Sequence, residues 1–129
     1  MKGVGVNFCC LLNNAAIISD MAPIELQPEN VQRRVFDVNY FAAVELTRRF
    51  LPLLLRNQGR VVFIGSAGAI MPVPFLSSYV ASKLALYSFA NVLRTEIERH
   101  GVSVTYVMLG QVNVHKPGRA STNCVVSCC

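Results

Sequence analysis

Charge is scarce in this chain of 129 residues: Asp, Glu, Lys and Arg together make up 15%, against 53% hydrophobic residues. That balance excludes an intrinsically disordered chain, which needs the reverse proportions, and it suits elements buried on both faces. The net charge of +5 is mild, and no basic stripe is present to follow a nucleic-acid backbone. Arg33-Arg34 and Arg48-Arg49 fall at intervals along one expected helix, as solvated positions do. No nucleic-acid partner is expected. No apolar run reaches the ~18 residues of a membrane span, so there is no clear membrane segment. No Cys/His spacing matches a zinc site, and no metal is expected. The five cysteines cluster at the two ends, Cys9-Cys10 and then Cys124, Cys128 and Cys129. Such an arrangement is a poor disulfide framework and points to a reducing compartment. The last four residues do not form a C-a-a-X lipidation box, and the terminal thiols read as incidental. No internal repeat is found.

The N-terminus reads in two ways. Met1-Lys2, the apolar residues from Val4 to Leu12 and Asn13-Asn14-Ala15-Ala16 resemble a weak signal peptide. The same residues fit a buried strand running into a turn. Asn7, inside the apolar run, weighs against the signal peptide.

Three apolar runs are expected to be strands: Val4 to Leu12, Arg60 to Gly65, and Val102 to Met108. Their length and β-branched content favour strand over helix. Asn57-Gln58-Gly59 and His100-Gly101 precede the second and third as helix-stop signals. Between them lie two helical segments. The first spans about Pro28 to Arg56, with Pro28 suited to a first turn and Glu29 near the positive end of the dipole. Its apolar positions Val31, Val35, Val38, Ala42, Leu46, Phe50 and Leu53 recur at threes and fours, and Pro52 is expected to kink it. The second spans about Ser77 to Arg99 and has broad apolar coverage (Val80, Leu84, Leu86, Phe89, Val92, Leu93, Ile97). The order strand–helix–strand–helix–strand predicts an α/β fold. It is a partial Rossmann-like doubly wound arrangement, with three neighbouring parallel strands in βαβαβ order. Residues 1–114 form the expected domain, and residues 115–129 are expected to be an irregular tail.

Tyr79-Val80-Ala81-Ser82-Lys83 opens the second helix. A separation of four sets both side chains on one helical face, one turn apart. An ammonium fixed near a phenol favours the phenolate, which can then take a proton from an alcohol or return one to a carbonyl. A helix-surface Tyr beside a solvated Lys is the bland account of the spacing alone. Ser66 ends the second strand, at a carboxyl end where α/β folds bind ligands, thirteen residues before Tyr79. Asn39 lies in the first helix, and Asn13-Asn14-Ala15-Ala16 follows the first strand. In this order the residues resemble the short-chain dehydrogenase/reductase family. That family carries an Asn-Asn-Ala-Gly turn, a helical Asn, a strand-end Ser and a Tyr-x-x-x-Lys helix start. The resemblance covers about Phe8 to Val114, with Ala16 in place of the usual Gly and Leu109 in place of Pro.

The resemblance implies NAD(P)-dependent interconversion of an alcohol and a ketone. Tyr79 would be the general acid/base. Lys83 would lower its pKa and bind the nicotinamide ribose, and Ser66 would polarise the substrate oxygen. Asn39 would hold a relay water, or else simply satisfy helix backbone. Asn14, Gly110 and Val112 would lie against the cofactor, with Asn13 tying strands together. The cofactor would be NADP or NAD, with the preference not readable. The apolar segment from Met71 to Leu76 hints at a lipophilic substrate; ordinary packing explains it as well. The two long helices would build a homodimer. The family's Gly-rich turn, which receives the pyrophosphate at a helix N-terminus, has no counterpart: Gly3-x-Gly5 lies too close to the start to follow a strand and Gly65-x-x-Gly68 lies beside Ser66. Two expectations follow. The edge of the first strand should be exposed, and with the pyrophosphate and adenosine contacts missing this chain alone should not bind the cofactor tightly. The alternative to the enzyme is a truncated, inactive family fragment that associates at most through its helices. A cytoplasmic location is expected, or a membrane-associated one if a longer parent chain carries an anchor.

Overall fold

The computed structural model describes residues 8–71, 73–110 and 125–127. Strand β1 (Cys10–Asn13) leads through a loop and a short 3-10 turn, Ile24–Leu26, to helix α1 (Glu29–Phe36). A π-helical turn, Asp37–Phe41, joins α1 directly to α2 (Ala42–Asn57). Strand β2 (Arg60–Ser66), helix α3 (Ser77–Ile97) and strand β3 (Ser103–Leu109) follow, and β4 (Val125–Ser127) comes last. The sheet order is β3-β2-β1-β4. β1 and β2 pair in parallel, as do β2 and β3, giving the expected α/β, Rossmann-type core. The proposed beginning of the first strand, Val4 to Asn7, lies outside the described residues.

Both stop signals act through the left-handed conformation. Gln58 ends α2 at φ 48° and ψ 46°, and the next amide, of Gly59, donates to Leu54 O at 2.9 Å. Gly101 adopts φ 76°, which suits a residue without Cβ, and donates to Glu98 O at 3.0 Å. At the other end Pro28 stands just outside α1 with an extended ψ of 138°.

The core lies between the sheet and one layer of helices. Leu11, Val61, Phe63 and Val104 from the strands meet Leu54 of α2 and Leu86, Ala90, Leu93 and Ile97 of α3. The alternate strand residues Leu12, Val62 and Ile64 are only half-buried, so the described helices cover one face rather than two. Phe63 has no exposed surface and meets Phe89 edge to face, with ring centroids 5.8 Å apart. Phe63→Ala should lower unfolding free energy by about 3–5 kcal/mol through lost transfer energy and a residual cavity. Urea melts of the two proteins check this, and a difference below 1 kcal/mol would show that the core collapses around the gap.

Three expectations need correction. The buried stripe of the long helical run is Val35, Asn39, Ala43, Thr47 and Leu54. Beyond Val35 it runs one residue later than the apolar series ending Val38, Ala42, Leu46 and Leu53. The π-helical turn is the reason: it uses an extra residue and rotates everything downstream. On α3, Leu84 and Val92 are 45% and 56% exposed, so its apolar coverage is one-sided in the fold. Finally, the edge of β1 is covered. β4, in the segment expected to be irregular, pairs antiparallel with it, Leu11 opposite Val126. Its backbone satisfies amide and carbonyl groups that an open edge leaves unpaired.

Candidate active site

Tyr79 stands in the first turn of α3 and Lys83 in the next. Lys83 Nζ lies 5.9 Å from the centre of the Tyr79 ring. The lysine is almost wholly buried, at 2% exposure, and its ammonium donates to Ile64 O at 2.9 Å. Among the described residues no carboxylate pairs with it; the ion pairs join Arg33 to Glu29, and Arg48 and Arg49 to Glu45. Burial lowers its pKa from 10.5 to about 8.

Ser66 is the last residue of β2. Its Oγ accepts the Gly68 amide at 3.1 Å and so caps the short 3-10 turn Ala67–Ala69. One lone pair is thereby used, and the hydroxyl hydrogen remains to donate. Asn39 sits in the π-helical turn with no exposed surface. Its side chain accepts from Ile17 N–H at 2.8 Å and donates to Ile17 O at 2.9 Å and Ser82 Oγ at 3.0 Å. Ser82 in turn donates to Tyr79 O at 2.7 Å. Asn39 thus connects the loop after β1 to the helix turn between Tyr79 and Lys83, with both amide hydrogens committed.

Asn14 is half-buried just past β1. Its neighbour Asn13, expected to tie strands together, donates instead to Thr47 Oγ1 at 3.3 Å and so joins β1 to α2. The Asn13 side-chain oxygen, Oδ1, is buried and has no partner among the described residues. Gly110 is exposed, and a Cβ there would meet nothing within 4 Å. Val112 lies outside the described residues.

Two positions escaped the reading of the sequence. Gln27 is buried and donates to Ala22 O at 2.6 Å and Phe75 O at 3.1 Å. Its carbonyl oxygen accepts from Ser77 at 3.4 Å and Ser78 at 3.3 Å. It therefore fastens the start of α3, which has no side-chain cap of its own, to the loop before α1. Phe75 is held at φ 68°, a region that disfavours a bulky residue, while its carbonyl takes the bonds from Gln27 and the Ala22 amide. The only sequence sign of the Gln27 anchor was the turn-rich context around Pro23, Pro28 and Pro74. Tyr106 is the other residue missed, for its alternation with buried strand neighbours gave no hint of a polar role.

A cleft of ≈ 770 Å³ opens elsewhere, between α1 and the start of α3, lined by Ile24, Arg33, Phe36, Phe41, Ser77 and Ala81 among others. Neither Tyr79 nor Lys83 lines it, so volume and chemistry disagree. The paired phenol and buried ammonium are the better guide, because the cleft lacks a comparable cluster.

The family model for short chain dehydrogenases matches residues 6–123. The chain belongs to this family. It is 36% identical over 113 residues to estradiol 17-beta-dehydrogenase 2 of Mus musculus, a match covering 88% of this chain and 28% of the mouse protein. It is 40% identical over 106 residues to dehydrogenase/reductase SDR family member 7B of Bos taurus, covering 81% of this chain and 32% of the relative. A solved short chain dehydrogenase from Burkholderia cenocepacia, in complex with NADP, superposes with a TM-score of 0.77 at 30% identity, covering 83% of this chain and 45% of the other. The chain therefore spans about a third of these curated relatives' length and under half of that solved chain.

Proposed function

We propose that this chain carries the proton-transfer site of an NAD(P)-dependent oxidoreductase that interconverts an alcohol and a ketone. The observation that carries the reading is the buried Lys83 ammonium, 5.9 Å from the Tyr79 ring and without a carboxylate partner among the described residues. An ammonium has three N–H donors, and the bond to Ile64 O uses one. The remainder suit the vicinal hydroxyls of a nicotinamide ribose, so the donor set fits the cofactor. When bound, the nicotinamide supplies or accepts the hydride.

Tyr79 delivers a proton to the carbonyl oxygen or removes one from the alcohol. Ser66 donates its hydroxyl hydrogen to the same oxygen. Asn39 holds α3 in register through Ser82 and Ile17, and a relay water would have to donate to it. Asn14 and Gly110 would lie against the cofactor, with NADP and NAD both compatible. The substrate is a small lipophilic alcohol or ketone: Ile70, Met71 and Phe75, in the segment that joins Ser66 to α3, expose 62%, 61% and 51% of their surface, and one relative acts, by its name, on estradiol.

Titration with NADPH and NADH, followed by cofactor fluorescence, tests the reading. Saturable binding below millimolar is expected; unchanged fluorescence to millimolar cofactor would remove the enzyme function from this chain. Association as a homodimer through the long helices is part of the proposal. It is supported by exposed Phe41 and Leu53 on one helical run and Leu84 and Val92 on the other. Light scattering at micromolar concentration should give twice the monomer mass. Among the described residues no helix is long and apolar enough to cross a membrane. Free thiols at Cys9 and Cys10 suit a reducing, cytoplasmic setting.

A further inference from the structure

Lys83 is held at both ends by one patch of the sheet. Its Nζ bonds Ile64 O at 2.9 Å, while its own backbone carbonyl accepts the Tyr106 phenol at 3.1 Å. Tyr106 comes from β3 and pairs in register with Phe63, so it reaches α3 across the end of β2. Its phenol lies against Gly65, between Ile64 and Ser66, so closely that a Cβ on Gly65 would overlap Tyr106 Cζ and the hydroxyl oxygen. Tyr87, one turn beyond Lys83, stacks edge to face on the same ring with centroids 5.1 Å apart. The carbonyl that Tyr106 caps lies in the helix interior, where intrahelical bonding already uses one lone pair. The extra bond therefore serves to fix α3 to β3 rather than to satisfy a lone backbone group.

We propose that Tyr106 is a positioning residue for the catalytic pair: its ring on Gly65 and its hydroxyl on Lys83 O clamp the Tyr79–Lys83 turn of α3 against the strand end that carries Ser66. This rests on the catalytic reading of Tyr79, Lys83 and Ser66. Residue 65 must be glycine because the ring occupies the space of a side chain. The phenol is raised above its ordinary pKa chiefly by burial, and Tyr79 and Tyr87, both on α3, are the titratable groups that act on it. It therefore stays protonated, and a donor, throughout the neutral range.

The test is Tyr106→Phe, which keeps the ring over Gly65 and deletes only the hydroxyl. The readout is the titration of Lys83, followed by NMR of its 13Cε in the full chain, with Lys83→Met identifying the resonance. Loosening the clamp admits water around the ammonium, so the midpoint should move up from about 8 toward 10.5 by at least half a pH unit. An unchanged midpoint overturns the proposal. Gly65→Ala, whose Cβ would overlap both the ring and the hydroxyl oxygen of Tyr106 and so displace the whole phenol, should shift the midpoint in the same direction. If it has no effect on the titration, the ring contact is no part of the clamp and the proposal fails. The titration needs neither cofactor nor turnover, so it is independent of whether Tyr79 is catalytic. Where turnover is measured with NADPH and a ketone, Tyr106→Phe should lower kcat about tenfold with KM within twofold. Loss of cofactor binding by the parent chain would instead refute the catalytic reading and leave the titration result standing.

Discussion

Tyr79→Phe should lower kcat/KM for ketone reduction by about 10²–10⁴-fold, the range that a positioned acid contributes. At 1.36 kcal/mol per tenfold, this corresponds to about 3–5 kcal/mol of transition-state stabilisation. Phe fills the same space against Lys83, so the helix and the lysine stay where they are and only the transferable proton disappears. Cofactor affinity should change less than threefold or so, because the ribose donors belong to Lys83. Tyr87→Phe is the control: it removes a phenol hydroxyl one turn further along α3 while keeping the ring that packs on Tyr106 at 5.1 Å, and its variant should retain most of the rate. Steady-state assays of the three proteins decide the matter. A Tyr79→Phe variant that keeps the parent rate would assign the proton transfer to another group.

Lys83 should make stability depend on pH in a direction opposite to that of an ion-paired lysine. In the folded chain burial lowers its pKa from 10.5 to about 8. Below pH 8 both folded and unfolded chains hold the proton, and the burden of a buried charge is constant and greatest. Between about 8 and 10.5 the unfolded chain binds more protons than the folded one, so stability rises with pH and then levels off. Relative to Lys83→Met, which has no such titration, the parent should gain on the order of 3 kcal/mol across that window. At neutral pH the methionine variant should be the more stable, less whatever the bond to Ile64 O contributes. The raised phenol of Tyr106 acts oppositely, since stability falls once pH passes the ordinary tyrosine value; it is present in both proteins and cancels in the difference. Urea melts of both proteins at half-unit pH steps check this. A flat difference would mean that water reaches the ammonium and that its burial is incomplete.

Periodicity and turn chemistry were readable because they are local. The strand runs, the stop at Gln58, the left-handed Gly101 and the placing of Tyr79 and Lys83 one turn apart follow from neighbours in sequence. The helical phase was not readable past Val38. An extra residue in a π-helical turn leaves composition unchanged yet turns Asn39 and Thr47 inward, where Asn39 meets Ile17 and Ser82, and Thr47 meets Asn13. A reader following apolar residues at 3.6 per turn selects Val38 and Leu46 instead, since buried polar residues look like surface ones until their partners are known.

Sequence alone determined the α/β order, the family and the Tyr79–Lys83 spacing on which the proposed proton transfer rests, because each depends on residue type and short spacing. Tertiary structure decided what surrounds them. It assigned Ile64 O to the Lys83 ammonium, Gln27 to the uncapped start of α3, the Tyr106 ring to the space above Gly65, and β4 to the open edge of β1. Each of those joins residues at least nineteen positions apart, and such pairs are chosen by how the elements pack, which no local pattern records.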